Sequence, residues 1–322
     1  MFEVVDPGAL STVQDGGRPG HLDLGVPVSG ACDTWSLAVA NLLLDNPPDA
    51  PALEITLAGP VLAVCQTGVI AIAGADLGGE VPEEGRRLAP GSSHRVTAGT
   101  HLRFEGVRSG LRAYLALPGG IAAASVLDSA STCLLGGFGG IDGRALRAGD
   151  QLLPVRGPTA GEAGRRWPAG GPDPLDGAPL RLIPAADPAG LAPGALAAIV
   201  DSPWIVSTES DRVGVRLSGP AITAAPEAAD LVSRGVVPGT MQLPPGGPII
   251  LLADGPTVGG YPVAGVVARA DMPRVAQARP GAELRFVTAS VAEAQAAWRY
   301  QAAVLREMAR RLEVSGPWET HV

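Results

Sequence analysis

Ile249-Ile-Leu-Leu-Ala-Asp-Gly-Pro-Thr-Val-Gly-Gly-Tyr-Pro262, Val263-Ala-Gly-Val-Val-Ala-Arg-Ala-Asp-Met-Pro273 and Arg279-Pro-Gly-Ala-Glu-Leu-Arg-Phe286 are the stretch on which the reading of the fold turns. Ile249 to Ala253 is an unbroken apolar run of the length of a buried strand. The pair Gly259-Gly260 lets the backbone adopt a positive φ or approach a neighbour closely. Two readings of Asp254 to Pro262 stand. One is a compact turn, since Gly/Pro clusters mostly punctuate strands. The other is a ligand loop, in which Asp254, Thr257 and Tyr261 project polar atoms from between two rigid strands.

Working outward, the composition sets the class. The 322 residues suffice for two domains with full cores, and 44 Gly with 31 Pro alongside 46% hydrophobic residues describe a β-rich chain full of turns. No apolar run approaches the roughly 20 residues that span a bilayer, and the N-terminus Met-Phe-Glu-Val-Val-Asp lacks the positive region of a signal peptide, so no membrane association and a cytoplasmic location are expected. Cys32, Cys65 and Cys133 lack metal-like spacing and sit among small apolar residues, which predicts buried free thiols and no metal site. A net charge of -8 argues against a nucleic-acid surface. All 24 basic residues are arginine. Without lysine the chain can form no Schiff base, supply no Walker lysine and carry no biotin.

Taken in order, Phe2 to Val5 reads as a strand, and Ser11-Thr-Val-Gln-Asp-Gly-Gly-Arg-Pro-Gly20 as a polar glycine loop. Asp15 and Arg18 form either a surface ion pair there or a site at which Arg18 presents its planar fork to a carboxylate or phosphate. Asp33 is placed as an N-cap; Trp35, Val39, Leu42 and Leu43 then share one helical face, ended by Asn46-Pro-Pro. Leu53-Glu-Ile-Thr-Leu-Ala-Gly-Pro60 alternates as a half-buried strand, with Glu54 on the polar face. Ser125 to Thr132 and Gly136 to Gly140 are hydroxyl- and glycine-rich loops, able to bind an anion through backbone N–H groups or simply to connect. Ser290 to Leu312 is a helix with Trp298, Leu305 and Met308 toward one face.

Three blocks recur in one order: Leu57 to Pro60 with Leu217 to Pro220, Val69 to Gly79 with Ile249 to Gly260, and Ala98 to Phe104 with Pro280 to Phe286. A period this long predicts duplicated domains, not a solenoid. The expected division is a first domain over 1–156, a linker over 157–177, a second domain over 178–288 and a C-terminal helix over 289–314.

Val13-Gln-Asp-Gly-Gly-Arg18, Gly25-Val-Pro-Val-Ser-Gly-Ala-Cys-Asp33, Ala40-Asn41, Leu53 to Pro60, Ser210-Asp-Arg-Val-Gly214, Gly239-Thr-Met-Gln-Leu-Pro244, Gly259-Gly-Tyr-Pro262 and Gln277-Ala-Arg-Pro-Gly281 together resemble the allophanate hydrolase subunit 2 family. That family, also called KipI antagonist-like or biotin-dependent carboxyltransferase, includes the C subunit of 5-oxoprolinase. The chain departs from it at Asp254-Gly-Pro-Thr257, where a polar residue is expected after the aspartate. The resemblance implies a mainly β fold of two tandem cyclophilin-like β-barrels with a C-terminal helix. It also implies a complex with a KipI-like B subunit, and possibly an A subunit, that opens 5-oxoproline to glutamate with ATP bound at the level of the complex. Two alternatives are a carboxyltransferase component acting on urea with a biotinylated partner, and a regulatory protein antagonising a KipI-like kinase inhibitor.

Opening a small amide or lactam puts negative charge on its carbonyl oxygen, so arginine forks and backbone donors near a carboxylate are the groups needed. The expected catalytic residues are Asp15, Arg18, Asp254 and Tyr261. The expected substrate-binding residues are Ser29, Asp211, Arg212, Gln242, Thr257, Gly259 and Gly260. In this reading the loops of the two domains meet at one cleft, and the isolated chain is inactive.

Overall fold

The computed structural model describes residues 1–168, 178–187, 189–222, 225–314 and Trp318. The protein is mainly β, with four α-helices among the described residues: α1 (Thr34–Leu42), α2 (Ala195–Asp201), α3 (Met272–Gln277) and α4 (Val291–Arg311). Contacts divide it into two units. The first comprises Met1–Arg18, Ser29–Asp173 and Ala302–Val322, the second Pro19–Val28 and Pro174–Gln301.

In the first unit a five-stranded antiparallel sheet runs in the order Leu10–Gln14, Ala52–Thr56, Ser109–Ala116, Gly68–Asp76, Ser92–Val96. A six-stranded sheet that includes Phe2–Asp6, Val61–Val64 and His101–Phe104 closes a core with it around Phe2, Ile55, Ile70, Ile72, Leu102 and Leu115. The opposite face of the five-stranded sheet is buried too. Val69, Ala71, Ala73, Tyr114 and Ala116 pack beneath α1 with Leu305, Met308 and Trp318. Burial on both faces is why residues 69–75 read as continuous apolar sequence instead of alternating. The same helix corrects the reading of Glu54. Alternation puts it on the face opposite to Leu53 and Ile55, but α1 covers that face and Glu54 is 1% exposed.

Asp33 caps α1 as expected: its Oδ1 accepts from the Ser36 amide at 2.9 Å and its Oδ2 from the Ser36 hydroxyl at 2.6 Å. At α4, Ser290 and Glu293 form a reciprocal box, the Glu293 carboxylate accepting from the Ser290 amide (2.8 Å) and hydroxyl (2.7 Å). Cys32 and Cys133 are buried, but Cys65 is exposed, next to the turn that follows Val61–Val64. Of the stretch 157–177, residues 158–167 line the first unit's sheet: the Val69 amide donates to the Pro158 carbonyl, and Trp167 meets Trp35 edge-on at 5.6 Å. Residues 169–177 lie outside the described residues.

The second unit is built on an eight-stranded sheet in the order Glu283–Leu284, Trp204–Val206, Gly214–Ser218, Ile249–Leu251, Thr240–Gln242, Val263–Val267, Leu180–Pro184, Phe286–Thr288. Its two end strands are separated in sequence by Arg285 alone, so the sheet curls almost into a closed barrel. Trp204, Leu182, Met241 and Ile250 are fully buried. A separate ribbon pairs Arg234–Gly235 with Val258–Gly259.

The three echoed blocks do not take matching places. Ala52–Thr56 and Gly68–Asp76 both pair with Ser109–Ala116, whereas Gly214–Ser218 pairs directly with Ile249–Leu251. His101–Phe104 pairs with Val61–Val64, while Glu283–Leu284 pairs with the earlier Trp204–Val206. The echo records a shared local grammar of apolar strand into glycine turn, not equivalent strands.

Candidate functional site

In the first unit the loop after Leu10–Gln14 turns sharply at Asp15-Gly-Gly, and Asp15 is the centre of that turn. Its carboxylate accepts from the Gly17 amide (2.8 Å), the Ala130 amide (2.6 Å), the Ser129 hydroxyl (2.6 Å) and the Ser131 hydroxyl. Three of these donors meet Oδ1 and one meets Oδ2, so Asp15 acts as a clamp on the 129–131 segment. Arg18 is 1% exposed. Its guanidinium donates to the carbonyls of Val126 (3.3 Å) and Ser131 and lies 4.9 Å from the centre of the Phe138 ring. The hydroxyl-rich loops therefore wrap these two side chains: Ser129, Ser131 and Thr132 are buried. Gly139 belongs to the cradle, because a Cβ there would lie 3.1 Å from Arg18 Nη2 and collide with the Ser131 carbonyl.

Ser29 sits beside this loop. A Cβ on the next residue, Gly30, would come within 2.7 Å of the Gly17 nitrogen, and the Ala31 amide donates to the Asp15 carbonyl at 3.0 Å. Ser29 is buried, with φ +52°, and its hydroxyl has no hydrogen-bond partner among the described residues.

In the second unit Arg212 and Asp254 form a forked ion pair, Nε to Oδ2 at 2.7 Å and Nη2 to Oδ1 at 3.3 Å, with both side chains 3% exposed. The apolar run of the opening stretch ends earlier than expected because of this pair. The strand stops at Leu251, and the chain then turns to place Asp254, whose amide donates to the Arg212 carbonyl. Asp211 points the other way: exposed, it accepts from the Val213 and Gly214 amides and closes its own turn.

Gln242 and Thr257 are buried, Gly259 and Gly260 are half-buried, and Tyr261 is exposed. Gly259 leaves the room that the Gln242 carboxamide occupies, since a Cβ would stand 2.3 Å from its nitrogen. That nitrogen is buried without a hydrogen-bond partner among the described residues. In the same unit opens a cavity of about 820 Å³, lined by Leu243, the Pro244–Pro248 turn, Gly219 to Ile222, Ala228 and Gly260 to Pro262. A mostly apolar cleft with a few polar groups at its rim is what a small-molecule site requires. The sequence reading thus named two sets of residues: Asp15, Arg18 and Ser29 in the first unit and, in the second, the Arg212–Asp254 pair together with the separate Gln242–Gly259 contact, Thr257, Gly260 and Tyr261.

It missed a third polar group, under α1. Glu54 Oε2 accepts from Tyr114 OH (2.7 Å) and the Cys32 amide (2.9 Å), Tyr114 OH accepts from the Asp33 amide (2.8 Å), and Arg112 Nε lies 3.8 Å from Glu54 Oε1. Burial, followed by the Glu54 and Asp33 carboxylates, pushes the Tyr114 phenol well above its ordinary value, so the hydroxyl remains a donor. The signal was present: Arg112 and Tyr114 are two residues apart in a strand otherwise apolar from Leu111 to Ala116, facing the one acid of a neighbouring strand.

Residues 24–288 match the profile of the carboxyltransferase domain, subdomain A and B. The chain belongs to the carboxyltransferase-domain family. Among family members, the 5-oxoprolinase C subunit of Escherichia coli is 36% identical over 97% of this chain and 99% of its own length. The urea amidolyase of Lachancea kluyveri is 33% identical over 90% of this chain, which spans only 17% of that longer protein. The crystal structure of the Kluyveromyces lactis urea carboxylase superposes with a TM-score of 0.85 at 30% identity, covering 95% of this chain and 29% of that one. Among the described residues no helix is long and apolar enough to cross a membrane.

Proposed function

We propose that this chain is the C subunit of a cytoplasmic, ATP-dependent 5-oxoprolinase-type complex, which hydrolyses the lactam of 5-oxoproline to give glutamate together with a KipI-like B subunit and an A subunit. The observation that carries the reading is the end-to-end likeness to a 5-oxoprolinase C subunit, at 36% identity over 97% of one chain and 99% of the other. The two sets supply suitable chemistry. In each, a carboxylate is held by donors, while hydroxyl and amide groups stand ready for a small polar amide: Ser29 in one, Gln242 and Tyr261 in the other. The Asp15 loop holds the segment next to Ser29 in place, and preorganised donors stabilise charge developing on a carbonyl oxygen.

ATP does not fit the arginines of these sets. Arg18 is committed to two carbonyls and Arg212 to Asp254, so neither offers its fork to a triphosphate. The nucleotide is assigned to the partner proteins. The test is ATP-dependent conversion of 5-oxoproline to glutamate by the chain alone, with the KipI-like partner, and with both partners, and a parallel arm with urea and a biotinylated partner. Turnover only in the full 5-oxoproline assembly is the expected result. Full activity of the chain alone, or activity confined to urea, would overturn the proposal.

A further inference from the structure

Ser29 combines two costs that proteins rarely tolerate on one residue. Its φ of +52° is a conformation that side chains with a Cβ avoid, and its hydroxyl is buried without a partner among the described residues. Such a state persists only where the surroundings impose it. The imposing groups are consecutive. Gly30 is wedged against Gly17, the Ala31 amide is taken by the Asp15 carbonyl, the Cys32 amide by Glu54 Oε2 and the Asp33 amide by Tyr114 OH. Tyr114 OH in turn donates to Glu54. Three amides in succession are held by three fixed acceptors, so the backbone at Ser29 cannot relax.

The composition of this anchor is itself informative. Buried ionic and polar groups are seldom more stabilising than well-packed apolar ones. Glu54, Tyr114 and Arg112, all at most 2% exposed under a helix that is otherwise apolar at that face, therefore call for a purpose beyond stability.

We infer that Glu54 and Tyr114 are positioning residues that hold Ser29 in its left-handed conformation, so that the Ser29 hydroxyl meets the polar atoms of a small amide substrate beside the Asp15–Arg18 loop. The inference rests on the amide-substrate reading above. A hydroxyl suits that class of ligand, since it donates to an amide oxygen and accepts from an amide N–H.

The experiment uses the assembled complex carrying Ser29→Gly, Ser29→Ala, Tyr114→Phe or Tyr114→Phe with Ser29→Gly, with 5-oxoproline and urea as separate probes. Ser29→Gly relieves the strain and removes the hydroxyl, so its Tm should rise by roughly 2–4 °C while kcat/KM falls at least tenfold. Ser29→Ala should lose as much activity without the rise. Tyr114→Phe should raise KM more than it lowers kcat, and it should add no further loss in the Ser29→Gly background, because its effect passes through Ser29. Equal effects of Tyr114→Phe in both backgrounds would show a merely structural role and overturn the inference. So would kcat/KM within twofold of the parent in both Ser29 variants, the result expected if the hydroxyl only holds a buried water. If the parent complex binds urea but leaves 5-oxoproline intact, the 5-oxoprolinase proposal fails while the Ser29 comparison proceeds on urea affinity. If the parent binds neither probe, the inference fails too.

Discussion

Asp254→Asn removes the charge facing Arg212 without changing side-chain volume. Arg212 is 3% exposed, so its guanidinium would stay buried beside a neutral amide. Breaking a buried pair from one side costs about 3–5 kcal/mol, since the remaining charge loses its carboxylate counter-ion while staying largely out of water. At about 3 °C per kcal/mol for a unit of this size, that is a fall in Tm of roughly 10–15 °C. Arg212→Met with Asp254→Leu deletes both charges and replaces them with apolar groups of similar bulk, which is often near neutral for stability. The double variant should therefore recover most of the lost Tm. Calorimetry of the four proteins closes the cycle, and turnover in the assembled complex gives the second readout: a double variant that folds but is inactive separates the pair's role at the site from its role in the fold. A fall below about 2 °C in Asp254→Asn would refute the reasoning, because it would mean that the pair is open to solvent and worth little.

Other perturbations test individual contacts. Gly259→Ala puts a Cβ 2.3 Å from the Gln242 amide nitrogen; the side chain must swing aside, and a loss of about 1–3 kcal/mol with a raised KM is expected from denaturant titration and steady-state kinetics. Gly143→Ala meets the Gly137 backbone at 2.0 Å with φ +65°, neither of which can yield, so a loss of about 3 kcal/mol or more should appear in the same titration. Tyr261→Phe, at an exposed position, should leave Tm within a degree or so and lower kcat/KM. Hydrogen bonds from His101 hold the Glu83 carboxyl at about 2, below its usual 4.5. A depressed carboxyl contributes stability that is complete above pH 4.5 and is lost as pH falls toward 2. Glu83→Gln should flatten the acid fall of the urea midpoint within that window.

What was legible in the sequence was local. Asp33 announced its cap, and the 290–312 periodicity its helix, because both depend on neighbours within a turn or two. The Asp15–Arg18 loop was recognisable as a polar glycine loop, but not as a buried one, since the hydroxyls that enclose it stand more than 100 residues away in a stretch that reads equally well as a surface connection. Glu54 shows the same limit: alternation gives the face of a strand, and only tertiary structure says what lies over that face. The echoed blocks misled for a related reason. Strand-then-glycine grammar is common to all tight β structure, whereas which strands pair is decided by long-range contacts that leave no mark in a short motif.

The near-closure of the eight-stranded sheet has a consequence for synthesis. Leu180–Pro184, its first strand in sequence, pairs in parallel with Phe286–Thr288, its last. A chain emerging from the ribosome exposes the edge of the first strand through about a hundred residues before its final neighbour is available, and non-local pairing of this kind is slow. The second unit is therefore the part that should engage holding chaperones during translation, and a chain truncated before residue 286 would be left with a raw strand edge instead of a slightly shorter barrel.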